Sequence, residues 1–324
     1  MSEPSTLTVP RRAVIAAVVG GAIAALTYRA YGLAPPMASD FDFVWIGLNA
    51  LVHGQNPYEA VAAANVRGFL YYPMPALIVA APLGFLSAGM ARIIFAAIGM
   101  AALAYAAAGR RGALFIGVFS ASALVGAVGG QWSPLLTAGA AVPWLSALWI
   151  TKPSIGLALM IGYPTRECIW GAVALLALSF LFLPTWVSDW TRYLGEPQYV
   201  PPLLRPGGFL LLLALLKWRR PEGRMLAALT VIPHVTTLYE TVPLFLIPPN
   251  RRQGYVLLLL TFVAAALEAW LVPAGTLVQQ VTGRWPVLFV LVYLPALIML
   301  LRLPNEGQAP EWLRDLASRL RRSR

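Results

Sequence analysis

Apolar residues fill long runs of this chain, and polar residues gather in the short stretches between the runs. The first run follows Arg11 and Arg12 and extends from 13 to about 33, which is long enough to cross a bilayer as a retained helix. Ten further runs cover 70–86, 92–108, 112–129, 132–150, 153–164, 168–185, 207–216, 225–247, 254–272 and 285–303. The pattern predicts an all-α, polytopic membrane protein with about ten to twelve membrane segments.

Proline interrupts many of these runs, and several are shorter than the roughly 20 residues that a spanning helix needs. The interrupting prolines are Pro73, Pro75, Pro82, Pro143, Pro153, Pro233 and Pro243. Broken helices at membrane depth persist only where protein surrounds them or where they line a water-filled cavity. We therefore expect full spans packed around a cavity, with half-helices embedded between them.

Composition and charge exclude several classes of protein. With 59% hydrophobic residues, 11% charged residues and a mean hydropathy of +0.71, the chain is not a soluble enzyme, a disordered protein or a disulfide scaffold. The net charge of +11 comes from short basic clusters between apolar runs, which is typical of cytoplasmic loops and argues against nucleic acid as a partner.

The basic clusters also predict an orientation. Both termini are expected in the cytoplasm, and the loops 35–70, 186–206 and 273–284 are expected outside. The chain divides into a transmembrane domain, 1–308, and a cytoplasmic, amphipathic, basic tail, 309–324, which suits an anionic membrane surface.

The stretch 35–70 is the largest polar interruption, and it begins with two acids, Asp40 and Asp42. The apolar positions that follow suit a short amphipathic helix in this outer loop, ended by a turn at Gly54 and Asn56-Pro57. Asp40 has two interpretations on physical grounds. It caps the helix, or its carboxylate lies at the lip of a cavity and serves as a general base.

Three more polar residues lie in apolar surroundings. Lys152 is costly at membrane depth unless it meets an anion or water, although an ordinary loop lysine is the simpler alternative. His234 follows Pro233 at the predicted break in 225–247 and either binds substrate or is a satisfied core histidine. Glu240 needs a partner.

The remaining reactive side chains are less informative. Arg192, Arg205 and Arg284 fall on predicted outer loops and are unspecific candidates for anion contacts. His53 is expected to be a solvated polar residue, and Cys168 an inert core thiol. Two histidines and one cysteine show no metal-ligand spacing, so we predict no metal and no other cofactor.

Several short motifs occur in a fixed order between residues 38 and 250. They are Asp40-Phe41, Val44-Trp45, Gly54, Asn56-Pro57-Tyr58, Tyr72-Pro73, Gly130-Gln131-Trp132, Lys152-Pro153, Pro233-His234 and Leu238-Tyr239-Glu240. In this order they resemble the motifs of glycosyltransferase family 87. That family consists of polytopic GT-C enzymes and includes polyprenyl-phosphate-mannose-dependent mannosyltransferases.

The resemblance implies a GT-C-like bundle and an inverting transfer of a mannose-like sugar. The donor would be a polyprenyl-phosphate sugar and the acceptor a lipid or glycan, on the periplasmic face of a bacterial inner membrane, with membrane lipids as surroundings. It implies Asp40 as the catalytic base, with Asp42 as the alternative. The implied residues for donor phosphate and substrate binding are Lys152, His234, Gln131, Tyr58, Tyr72 and Glu240.

Two other functions stay open. One is a transporter of lipids or small molecules, which needs polar residues that reach both faces of the membrane. The other is a non-catalytic membrane subunit, which is favoured by the short section between Gln131 and Lys152. Ser133 stands where the family usually has asparagine, and this departure leaves open a catalytically weakened homologue.

Overall fold

The computed structural model describes residues 7–34, 36, 39–64, 69–109, 113–193, 199–272 and 275–307, and within these ranges all regular structure is helical. Four helices in this part of the chain are long and apolar enough to cross a membrane: Val9–Tyr31, Ala88–Ala108, Arg251–Leu271 and Val278–Leu301. The predicted all-α membrane class is thus confirmed. The predicted segment number stays a prediction, and the predicted tail, 309–324, lies outside the described residues.

The α-helices are numbered here in chain order. They are α1 (Val9–Tyr31), α2 (Phe41–Val52), α3 (Pro57–Ala63), α4 (Met74–Ala80), α5 (Ala88–Ala108), α6 (Leu114–Gly117), α7 (Ala121–Val128), α8 (Ser133–Ala138), α9 (Pro153–Gly162), α10 (Arg166–Phe182), α11 (Trp186–Thr191), α12 (Pro221–Val231), α13 (Arg251–Leu271), α14 (Leu277–Leu288) and α15 (Leu294–Leu301). Shorter 3-10 segments cover Ala81–Phe85, Pro143–Thr151, Pro202–Leu204, Gly208–Lys217 and Leu238–Leu246. A π-helical turn, Phe289–Tyr293, joins α14 to α15.

The helices α1 and α5 pack closely along each other because small residues line their contact. A Cβ atom added at Gly20 would lie 3.1 Å from Cβ of Ala101 and 3.2 Å from the carbonyl oxygen of Ala97. Small residues let membrane helices approach in this way, and the dispersion contacts that result hold them together. The helix α5 of this pair also packs against α2.

The helix predicted in the first polar stretch is α2. Its residues Val44, Leu48 and Ala50 are buried, and it ends at Val52, just before the turn at Gly54, whose φ is +71°. The side chain of Asn56 then accepts the backbone N–H of Tyr58 at 3.0 Å and starts α3. The prediction of this helix and of the turn that ends it is confirmed.

Two apolar runs are broken within the structure. The run 225–247 consists of α12, a non-helical segment around Pro233, and the 3-10 helix Leu238–Leu246, so the predicted break is confirmed. The run 132–150 divides into α8 and the 3-10 helix Pro143–Thr151. The ends of these short helices meet the start of α2 and surround a cavity.

The predicted loop 273–284 is wrong, because α14 begins at Leu277 and therefore includes Arg284. A reciprocal capping box explains the early start. The Oγ1 atom of Thr276 accepts the backbone N–H of Gln279 at 3.3 Å, and Oε1 of Gln279 accepts the backbone N–H of Thr276 at 2.9 Å. The predicted loop 186–206 likewise contains the short helix α11.

Candidate functional site

Asp40 immediately precedes α2 and lies on the wall of a cavity of about 1340 Å³. Its side chain accepts no hydrogen bond from the first turn of α2, so the capping interpretation is not what the structure shows. Its backbone N–H donates to the carbonyl oxygen of Gly129 at 3.1 Å, which ties the start of α2 to the turn after α7. The carboxylate is thereby left to face the cavity.

The turn that holds Asp40 depends on Gly130. This residue has φ of +72°, a left-handed conformation that favours glycine. A Cβ atom here would lie 2.8 Å from Cβ of Phe41 and 3.0 Å from its backbone nitrogen. Glycine is therefore needed at this position both for its backbone angle and for the space.

Gln131 connects the two charged groups of the site. Its Nε2 donates a hydrogen bond to Oδ2 of Asp40, while its Oε1 accepts from Nζ of Lys152 at 2.9 Å and from the hydroxyl of Tyr72 at 3.3 Å. All four side chains line the cavity. One carboxamide thus orients a carboxylate and an ammonium group toward the same space.

Lys152 stands between the 3-10 helix Pro143–Thr151 and α9, and its side chain is only 12% exposed. Its Nζ lies 3.0 Å from Oε1 of Glu240 and 4.8 Å from the centre of the Tyr239 ring. A carboxylate, an aromatic face and the Gln131 carbonyl together stabilise the ammonium group in a setting with little water. Glu240, for which the sequence offered no partner, has Lys152.

His234 is buried behind Glu240 and is not among the residues that line the cavity. Its Nδ1 donates to the carbonyl oxygen of Ile232 at 2.8 Å, and its Nε2 lies 3.7 Å from Oε2 of Glu240. Tyr58 is placed similarly: it is buried, and its hydroxyl donates to the carbonyl oxygen of Tyr72 at 3.3 Å. Both side chains support cavity residues instead of facing the cavity themselves.

Asp42, the alternative base, is fully buried and away from the cavity wall. Its Oδ2 lies 2.8 Å from Nη2 of Arg92 and its Oδ1 3.1 Å from Nε of the same guanidinium. Oδ2 also accepts the backbone N–H of Ser39 at 2.9 Å. This fork-shaped ion pair joins α2 to α5 and is structural in character.

Burial raises the pKa of the Asp40 carboxyl above its ordinary value, whereas the positive charge of Lys152 acts in the opposite direction. Asp40 lies outside the four candidate spans. A carboxylate with a raised pKa is a better proton acceptor than an ordinary surface aspartate, which fits it for general-base chemistry.

Aromatic and apolar residues make up most of the remaining cavity wall. Besides the polar residues named above, the wall includes Tyr31, Phe43, Phe69, Tyr71, Val125, Leu157, Trp190, Tyr199, Ile232 and Tyr239. Such a wall suits a ligand with a large apolar portion. Arg284 also lines the cavity, whereas Arg192 is exposed and Arg205 is buried elsewhere.

The other candidate residues named from the sequence take no part in the cavity. His53 is exposed, with its Nδ1 2.7 Å from the carbonyl oxygen of Asn49. Cys168 is buried and its thiol donates to the carbonyl oxygen of Thr165 at 3.0 Å, as expected of a core thiol. Among the described residues, no group of three or more histidine, cysteine, aspartate or glutamate side chains is placed to hold a metal ion.

Two residues of importance were not predicted from the sequence. Tyr239 enters the sequence analysis only as a member of the motif Leu238-Tyr239-Glu240, yet its ring lies beside Lys152 and lines the cavity. Arg92 was not singled out, although an arginine at the head of an apolar run is itself a signal for a buried acidic partner. Comparison with known proteins adds nothing here: no family model, no curated protein and no solved structure matches this chain.

Proposed function

We propose that this protein is a membrane glycosyltransferase that moves a sugar from a polyprenyl-phosphate donor to a lipid or glycan acceptor. The observation that carries the proposal is the position of Gln131, which holds the carboxylate of Asp40 and the ammonium of Lys152 on one cavity wall. A base and a cation directed at the same space are what a displacement at a phosphorylated carbon requires.

In the proposed reaction Asp40 accepts the proton of the acceptor hydroxyl. The hydroxyl oxygen forms a bond to the anomeric carbon of the sugar, while the bond from that carbon to the phosphate oxygen breaks. A single in-line displacement of this kind inverts the configuration, as in the corresponding glycosidases. The leaving phosphate gains negative charge, which Lys152 stabilises, and no metal or other cofactor is invoked.

The surrounding residues have positioning roles in this proposal. Gln131 and Tyr72 orient the two charged groups, and Glu240 holds Lys152 at 3.0 Å until a phosphate competes for it. His234 supports Glu240 from behind, and Tyr58 supports the backbone of Tyr72. The apolar and aromatic part of the wall accommodates the isoprenoid chain of the donor.

The test of the proposal is incubation of the purified protein with radiolabelled polyprenyl-phosphate sugars and a total lipid extract. The expected result is a labelled lipid or glycan product that depends on the protein. Donor binding without any product would favour the non-catalytic subunit. Movement of donor across a vesicle membrane without any product would favour the transporter, and either result would overturn the proposal.

The proposal also places the cavity on the periplasmic face of a bacterial inner membrane, from the distribution of arginines. Ser188 is exposed in α11, on the predicted outer side. We expect a cysteine at this position, Ser188→Cys, to react with a membrane-impermeant thiol reagent in intact spheroplasts, whereas the buried native Cys168 stays unlabelled. Labelling of the variant only after lysis would show that Ser188 faces the cytoplasm, and the proposed orientation would then be wrong.

A further inference from the structure

A second charged pair joins two of the candidate membrane spans, and the proposed reaction does not use it. Glu268 lies in α13 and Arg284 in α14, and Nε of the arginine is 3.7 Å from Oε2 of the glutamate. Nη2 of Arg284 also donates to Oε1 of Gln280 at 3.2 Å. The arginine side chain is 29% exposed and the glutamate side chain 13% exposed, and charged groups so far removed from water are costly unless they are fully paired, so the pair points to a function.

The pair is only partly satisfied by the protein. Among the described residues, Oε1 of Glu268 and Nε of Arg284 are buried and have no hydrogen-bond partner. At 3.7 Å the contact between the two groups is an ion pair without a hydrogen bond. Both groups therefore retain capacity for a ligand that supplies a hydrogen-bond donor to the acid and an anion to the arginine.

The pair lines a cavity of about 530 Å³ beside the main one. The two cavities share Val125, Thr237, Tyr239 and Arg284 in their walls. Gln280, Glu268 and Arg284 provide a polar end, while Ala265, Ala269 and Val272 from α13 and the residue after it provide an apolar side. Such a site suits a molecule with a charged head and an apolar body.

The position along the helix indicates a lipid. Glu268 lies about one helical turn before the end of α13, at the end opposite to Arg251 and Arg252. A side chain at this level of a spanning helix is near the head groups of one leaflet, not at the bilayer centre. Pockets with a basic residue between spanning helices bind the phosphate-containing head groups of lipids, and Arg284 is the basic residue of this pocket.

We infer that this second cavity binds the phosphoethanolamine head group of a zwitterionic phospholipid. The guanidinium of Arg284 binds the phosphate, and the carboxylate of Glu268 accepts hydrogen bonds from the ammonium group of the same head. The charge pair of the protein thus matches the charge pair of the lipid, and each partly satisfied group gains a partner. The lipid site shares Arg284 and three other wall residues with the main cavity, but the inference does not depend on the proposed transfer reaction.

The site can be tested by native mass spectrometry of the delipidated, detergent-purified protein. The probes are dioleoyl-phosphatidylethanolamine, -phosphatidylglycerol and -phosphatidylcholine, and soluble glycerophosphoethanolamine. We expect phosphatidylethanolamine to bind most tightly, because phosphatidylglycerol lacks the cation and the quaternary ammonium of phosphatidylcholine cannot donate a hydrogen bond. The soluble head group should bind more weakly than the lipid, because it lacks the apolar body; equal binding would overturn the assignment to a lipid.

Variants of the pair assign the binding to these residues. Glu268→Gln should reduce phosphatidylethanolamine affinity about ten- to a hundredfold, the range for a lost charge-assisted hydrogen bond, and leave phosphatidylglycerol unchanged. Arg284→Gln should lower the affinity for both lipids. The double variant Glu268→Arg with Arg284→Glu keeps an ion pair but reverses its direction. It should therefore fold, and it should lose the preference for phosphatidylethanolamine over the other lipids.

The matched control is the exposed pair of Glu59 and Arg192, whose side chains are 64% and 59% exposed at a separation of 4.0 Å. Glu59→Gln and Arg192→Gln should leave all lipid affinities unchanged. Equal affinity of the wild type for the three lipids, or a preference for phosphatidylethanolamine that survives in Glu268→Gln and in the reversed pair, would overturn the inference.

Discussion

The cavity wall around Asp40 and the helix interface around Asp42 differ sharply, although only Phe41 separates the two acids. The carboxylate of Asp40 faces the cavity and meets the neutral carboxamide of Gln131. The carboxylate of Asp42 is fully buried between α2 and α5 and is neutralised by Arg92 at 2.8 Å. At about 100° of rotation per residue, two positions along a helix separate these directions by roughly 200°.

The comparison shows that the surroundings of an aspartate decide its role. Asp42 stabilises the fold, whereas Asp40 is available for chemistry in the cavity. Asp42 receives a full counter-charge and a backbone N–H, so its carboxylate is held by the protein and is closed to substrate. Asp40 receives one side-chain hydrogen bond and a more distant cation, so its carboxylate keeps proton affinity and access. Phe41 between them stacks on Phe95 at 4.2 Å and fixes both directions.

The largest expected effect concerns Asp40. Asp40→Asn retains an oxygen for the Gln131 amide but removes the base, and general-base catalysis contributes about 10²–10⁴-fold. We expect kcat for sugar transfer to fall by that factor, while the affinity for the donor stays that of the wild type. Steady-state kinetics with labelled donor measure it. Glu59→Gln, an exposed acid, is the control and should retain full activity. If Asp40→Asn retained the wild-type kcat, Asp40 would not be the general base.

The second prediction tests the other side of the comparison. Arg92→Met leaves Asp42 buried without its counter-charge, which typically costs about 3–5 kcal/mol of stability. We expect a large fall in Tm in detergent, measured by tryptophan fluorescence. The double variant Arg92→Met with Asp42→Leu should recover most of the loss, because a buried ion pair is often replaced by apolar residues at little cost.

A control for this prediction is the exposed pair of Arg192 and Glu59. Surface ion pairs contribute about 0–1 kcal/mol, so Arg192→Gln should change Tm little. If Arg92→Met were as stable as Arg192→Gln, the pair of Asp42 and Arg92 would not be structural. The proposed difference in role between Asp40 and Asp42 would then no longer hold.

The third prediction concerns Lys152, which gives the cavity side of the comparison its cation. Lys152→Met keeps the length of the side chain but loses the charge, and a lost charge-assisted hydrogen bond costs about 1.5–3 kcal/mol. Donor affinity should therefore fall about ten- to a hundredfold in equilibrium binding with labelled donor. The matched variant Lys217→Met changes a lysine at the end of the 3-10 helix Gly208–Lys217 and should bind donor normally. Equal affinities in the two variants would argue against a phosphate at Lys152.

Much of the fold follows from local patterns in the sequence. The apolar faces and the turn residues predicted α2 and its end, and Pro233 predicted the break between α12 and the next 3-10 helix. The start of α14 was missed because a capping box of Thr276 and Gln279 outweighs the polar composition of that stretch. The pattern of apolar residues contains no information about these two hydrogen bonds, so it does not predict where α14 begins.

The site was predictable as a set of residues but not as an arrangement. The order of the motifs predicted that Asp40, Gln131, Lys152 and Glu240 belong to the site. The structure joins these residues through hydrogen bonds and an ion pair. That Gln131 stands at the centre depends on packing between distant segments, which no local pattern encodes. For the same reason, the sequence left two interpretations of His234 open, and only the structure places it in the core behind Glu240.

The smallest effect separates the two acids by the pH dependence of stability. Because burial raises the pKa of the Asp40 carboxyl, folding favours its protonated form. The stability associated with this group is fully present below its unfolded-state pKa and is lost as the pH rises through the higher folded-state pKa. Asp40→Asn resembles the protonated form at every pH. Its Tm should therefore match the wild type near the ordinary aspartate pKa, at about pH 4, and exceed it increasingly as the pH rises through the higher folded-state pKa.

Asp42→Asn should behave in the opposite way in the same experiment. It removes a carboxylate that is paired with Arg92, so its Tm should lie below the wild type. Thermal unfolding of the wild type and the two asparagine variants across this pH range measures both signs. A Tm of Asp40→Asn that lies below the wild type at neutral pH would mean that the ionised carboxylate stabilises the fold. Asp40 would then be a structural acid like Asp42, and the division between the two acids would not hold.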